Sequence, residues 1–117
     1  MANRILDGYS LPIGDKIEII VDHDGPASYT GGAAGGETIN ASDFGLGGFE
    51  LIQCDALSSD GLNTVFPTLT GQSTSAANKA NAVTSATLRW FVTATGAEVA
   101  NGVALNTKSV RLQIRGV

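Results

Sequence analysis

Cysteine, histidine, proline and charge are all scarce in this chain. It has one Cys, one His and three Pro. A single cysteine forbids an internal disulfide and any zinc site built on thiolates. A single histidine would have to serve every serine, threonine or cysteine nucleophile, and no Gly-x-Ser-x-Gly elbow is present. Charged residues make up 15% of the chain, with Lys+Arg 7 against Asp+Glu 11 and a net charge of −4. A phosphate backbone is held mainly by Lys and Arg, so this balance argues against nucleic acid as a partner. No apolar run approaches the roughly 18 residues of a membrane helix. No cationic amphipathic stretch suggests an interfacial helix. The opening Met1–Gly8 carries an apolar stretch far shorter than the about 7 to 15 residues of a secretory signal. These absences predict a chain made in a cytoplasm, with no membrane partner.

What remains is apolar and rich in glycine. Hydrophobic residues are 43% of 117, with 15 Gly. Disordered chains show the opposite balance. The length fits one domain, able to bury roughly 65% of its unfolded surface without staples.

The strand signals have period two. In Lys16–Asp22, Ile17, Ile19 and Val21 share one face. In Thr87–Thr93, Leu88, Trp90 and Val92 point one way, and Phe91 lies with Arg89 on the other. Ser109–Arg115 alternates throughout. Each has one dry and one wet face, as in antiparallel sheets. Phe49–Asp55 and Asn63–Leu69 read as further strands. Pro67 makes the second an edge strand, or bends it.

Glycine marks the breaks. Asp24-Gly25-Pro26 ends the first strand, and Gly31–Gly36 reads as a flexible loop. Ser58-Ser59-Asp60-Gly61 reads as a hairpin turn with Gly61 at positive φ. Asn40 is placed to cap a short helical turn over Ala41–Phe44, which Gly45 stops in a left-handed conformation. Residues 73–86 have alanine propensity but no apolar stripe, which favours a surface loop over a helix. Short strands, glycine turns and no strong helix predict an all-β antiparallel β-sandwich, jelly-roll-like or immunoglobulin-like, over residues 15–117. Residues 1–14, ending in the turn signal Leu11-Pro12-Ile13-Gly14, form an N-terminal arm. Its Ile5, Leu6, Tyr9 and Leu11 need apolar cover, from their own domain or from a partner.

Chemistry-bearing groups are sparse. Asp22-His23-Asp24 is the one charged cluster with a histidine. It reads as a metal or general-base site, or as a solvated strand end. Strand neighbours point to opposite faces, which favours the solvated end. Cys54 sits beside Asp55, which raises a thiol pKa, so it reads as structural. The acids Glu18, Glu37, Asp43, Glu50, Asp55, Asp60 and Glu98 are numerous, but nothing in their spacing opposes two across a cleft. The glycines of the 31–36 loop lack the following Lys-Ser/Thr and helix of a phosphate cradle. Trp90 reads as core. Tyr29 beside the glycine loop reads as an exposed ring, and Phe91 as an interface residue or one packed under a loop. The expectation is no enzyme, no cofactor and no metal.

Three stretches carry a family resemblance. They are Gly14–Tyr29 (GDKIEIIVDHDGPASY), Gly36–Leu46 (GETINASDFGL) and Leu88–Val99 (LRWFVTATGAEV). Together they resemble small structural proteins encoded beside the major capsid protein in tailed bacteriophages, some of which are capsid decoration, or cement, proteins. The resemblance implies a virion protein on the outer capsid surface, made in the host cytoplasm. It implies the major capsid protein as partner and a homo-oligomer, with a trimer favoured. The arm would then lie on the capsid, with Ile5, Leu6, Tyr9 and Leu11 as contacts and Phe91 as a further one. A glycan-binding module displayed on the virion, or a tail or neck component, is the alternative.

Overall fold

The computed structural model describes residues 3–13, 16–55, 57–70 and 83–117, with 4–13 and Ala34 described by backbone alone. Strands run β1 (Asn3–Ile13), β2 (Lys16–Asp24), β3 (Glu37–Asn40), β4 (Phe49–Cys54), β5 (Asn63–Leu69), β6 (Ser85–Val92) and β7 (Ser109–Gly116). They form an antiparallel four-stranded sheet, β1-β2-β7-β4, and an antiparallel three-stranded sheet, β3-β6-β5. The protein is an all-β sandwich. Among the described residues, helix is confined to two 3₁₀ turns, Gly32–Ala34 and Ala41–Phe44.

Alternation builds the core as expected. Ile19 and Val21 of β2 and Val110, Leu112 and Ile114 of β7 face inward from one sheet. Val65 of β5 and Ala86, Leu88 and Trp90 of β6 meet them from the other. β4 breaks the period: a register shift between Phe49 and Leu51 lets Phe49 and Ile52 share the inner face. β5 is the edge strand that Pro67 requires.

The turns follow their chemistry. Gly45 takes φ +74° after the 3₁₀ turn, and the Asp43 carboxylate accepts the Asn40 N–H at 3.1 Å. Gly61 also takes φ +74°, in a turn that closes an antiparallel bridge between Leu57 and Thr64.

Three elements differ from the sequence reading. Asn3–Ile13 of the arm runs, by its backbone, as edge strand β1 against β2, with a register shift between Ile5 and Ser10. β3 lies where no strand was expected. Of the expected loop at 73–86, residues 73–82 lie outside the described residues, and Ser85 and Ala86 already belong to β6.

Candidate functional site

The residues expected to make contacts fall in two places. Ile5, Leu6, Tyr9 and Leu11 lie on β1, and their side chains are outside the described residues. Phe91 stands half-buried on the outer face of β6. Its ring meets Phe66 of β5 edge-on, with centroids 5.5 Å apart and planes at 77°. Phe66 is 55% exposed.

The Asp22–His23–Asp24 cluster does not converge, but His23 is not solvated either. Register parity places it on the inner face with Ile17, Ile19 and Val21, and it is fully buried. Its Nδ1 lies 2.5 Å from Asn3 Oδ1, and its Nε2 lies 2.7 Å from Glu37 Oε2. Glu37, buried on β3, also accepts the Trp90 indole N–H at 3.0 Å. A polar chain therefore crosses the sandwich from β2 to β3 and β6. Asp22 points outward and takes both Nε and Nη2 of Arg111, at 2.8 and 3.1 Å. Among the described residues, no group of three His, Cys, Asp or Glu side chains is placed to hold a metal ion.

Tyr29 is buried, not exposed. Its hydroxyl donates to Glu98 Oε2 at 2.8 Å and accepts the Trp90 backbone N–H at 3.1 Å. Burial pushes its pKa up to about 12. Glu98 also accepts from Arg89 Nη1 and from the Gly32 N–H, both at 2.9 Å. The Tyr29 hydroxyl, first among these donors, holds its carboxyl below the usual range. The Gly31 N–H donates to Asn101 Oδ1 at 2.8 Å. The glycine loop is thus tied down by side chains from another loop, which composition alone did not indicate. Cys54 is half-buried and donates to the Val65 carbonyl. Burial, then Asp55, raises its thiol pKa to about 11, as expected of a structural cysteine.

One concavity was not foreseen. A groove of about 700 Å³ opens at the end of the sandwich where β5 begins and β6 ends. Leu62, Val92, Val99, Val103 and Leu105 line it, with Ala94, Ala100 and Ala104 between them. Leu62 is 62% exposed and Val103 41%. Its polar members are few. Lys108 Nζ donates to Asn63 Oδ1 and pairs with Asp60 Oδ2 at 3.2 Å. The Leu62 N–H, then the Ser58 hydroxyl, hold the Asp60 carboxyl down at about 2. Lys108, the cation among its described lining residues, is already paired, so the groove offers apolar contact above all. Sequence periodicity could not find it, because its lining comes from the β4–β5 and β6–β7 loops and two strand ends. No helix among the described residues is long and apolar enough to cross a membrane. Compared with protein-family models, curated proteins and solved structures, the chain matches none.

Proposed function

We propose that this protein is a capsid decoration protein of a tailed bacteriophage. It seats on the outer surface of the major capsid shell and strengthens it by added interface, without catalysis. The observation that carries this reading is the apolar groove rimmed by Leu62, Val92 and Val103. Single exposed apolar residues are ordinary on a monomer, but clustered ones around one concavity mark a contact surface. Apolar burial is worth about 25 cal/mol per Å², less the costs of association, and a shell repeats that gain at every copy. The sequence resemblance supplies the partner.

The described aromatic side chains favour this reading over the glycan-binding alternative. It needs a flat, exposed aromatic platform. Tyr29 is buried, and Phe66 and Phe91 meet edge-on.

Light scattering on the purified protein, followed by co-sedimentation with undecorated capsids, tests the proposal. The expected result is a stable oligomer, a trimer by the resemblance, that pellets with capsids. A protein that stays in the supernatant at every capsid concentration refutes the reading.

A further inference from the structure

The β6–β7 loop, which lines one wall of the groove, carries a chemically labile dipeptide. Of the asparagines in the sequence, only Asn101 precedes a glycine. Glycine has no side chain to shield its amide nitrogen, and that nitrogen can close on the asparagine Cγ as a succinimide ring. Both residues are exposed, in a turn where Gly102 takes φ +87° and the Val103 N–H donates to the Ala100 carbonyl at 3.3 Å. Ala100 and Val103, on either side of them, line the groove. The two groups that would react are both held by the loop between β2 and β3. The nucleophile is the Gly102 nitrogen, and its N–H donates to the Tyr29 carbonyl at 2.8 Å. The electrophile is the Asn101 carboxamide, and its Oδ1 accepts the Gly31 N–H at 2.8 Å. The Tyr29 N–H donates back to the Val103 carbonyl at 2.9 Å. Tyr29 and Gly31 are buried, so parting the two loops strips buried residues of their backbone partners.

We propose that Asn101-Gly102 is a deamidation site guarded by this loop pair, and that its conversion is a one-way switch on the groove wall. Ring closure needs the Gly102 nitrogen turned off Tyr29 and the Asn101 side chain turned off Gly31. It therefore proceeds only while the loops are parted. The Gly102 nitrogen then gives its proton to a solvent base and attacks Cγ of Asn101, forming the new C–N bond and moving the carbonyl π electrons onto Oδ1. Collapse restores the carbonyl and breaks the Cγ–Nδ2 bond. The leaving nitrogen takes a proton from water and departs as ammonia. Water then opens the succinimide at either carbonyl, leaving aspartate or isoaspartate at position 101. The net exchange is amide plus water for acid plus ammonia, so water is the sole co-reactant. The isoaspartyl product carries an extra main-chain methylene and a new carboxylate, and Gly102 no longer meets Tyr29 in register. The groove wall from Ala100 to Val103 then loses its anchor. The effect on binding rests on the groove being the shell contact, as proposed above; the guard does not.

Peptide mapping by mass spectrometry tests the guard. The full-length chain is aged at one pH and temperature, folded and unfolded in guanidinium chloride, and amide-to-acid conversion is read in the peptide spanning Asn101. The folded chain should convert at least about tenfold more slowly than the unfolded one. Glu98→Ala releases the Gly32 N–H and the Tyr29 hydroxyl, which loosens the glycine loop. It should speed conversion in the folded chain by at least about threefold. Equal rates in folded and unfolded wild type overturn the guard, whether or not the variant folds. Co-sedimentation with undecorated capsids tests the switch. Protein converted at position 101 should bind at least about tenfold more weakly than fresh protein. Unchanged binding after full conversion overturns the switch. Fresh protein that ignores capsids refutes the groove reading, and the switch with it, while the conversion rates still judge the guard.

Discussion

His23, Glu37 and Trp90 bury three polar groups where the sandwich is driest, and each answers another. A buried polar group without a partner costs roughly 2 to 7 kcal/mol, so the three stand or fall together. Glu37 is the shared member, with one oxygen on the imidazole and the other on the indole. Glu37→Ala orphans both, and we expect it to cost about 3 to 5 kcal/mol in urea unfolding. A loss below about 1 kcal/mol would mean that neither ring needs the carboxylate. Replacing His23 and Glu37 together by leucine should cost less than Glu37→Ala alone, because no imidazole is left facing a missing partner. Two other residues set the alkaline limit. Burial raises Cys54 to about 11 and Tyr29 to about 12, against ordinary values of 9.0 and 10.0. The folded chain therefore holds protons that the unfolded chain releases first. Their contribution is whole below the ordinary value of Cys54 and is lost as pH rises through the folded values. The urea midpoint should stay level up to about pH 9 and fall above it, with Cys54→Ala delaying the onset. A midpoint level to pH 11 would contradict the assignment of these two groups.

At the scale of elements, the strands whose two faces differ in polarity were readable. β2, β6 and β7 carry apolar residues at every second position, and β5 announced its edge through Pro67. β3 was hidden because its inward residues are Glu37 and Ile39, so a buried acid disguised the dry face. β1 was hidden because its pairing shifts between Ile5 and Ser10, which breaks the alternation where a reader would look for it. His23 carried a usable signal in its parity with Ile17, Ile19 and Val21, but the flanking aspartates masked it. The groove carried none, since loops assemble it. Loop packing is itself testable at Gly25. A Cβ there would lie 2.5 Å from the Leu105 carbonyl oxygen and 2.7 Å from its Cβ, so part of the groove-lining loop must move. Gly25→Ala should cost about 1 to 3 kcal/mol by thermal unfolding, as overpacking does. An unchanged melting temperature would show that the 105–108 turn yields freely.

For the whole molecule, the proposed role requires one surface that would meet the shell. The sandwich offers two unlike candidates. Among the described residues, the outer face of the four-stranded sheet is ruled by paired polar and charged groups: Asp22 with Arg111, Glu18 with Gln113, Lys16 with Glu50. Such groups keep their water and add little on contact. The groove end has apolar rims already half free of neighbours, so covering them removes water at little polar cost. Leu62→Asp and Val103→Asp place a charge on those rims. Both positions are exposed, so folding should change by no more than about 0.5 kcal/mol. Capsid affinity should fall at least about tenfold for each, roughly 1.4 kcal/mol of binding. Leu51→Asp, 43% exposed on the outer face of β4, is the matched control and should bind as the wild type does. Co-sedimentation titrations on the three variants decide the matter. If Leu51→Asp abolishes binding while the groove variants keep theirs, the charged sheet meets the shell, and the groove must be assigned another occupant.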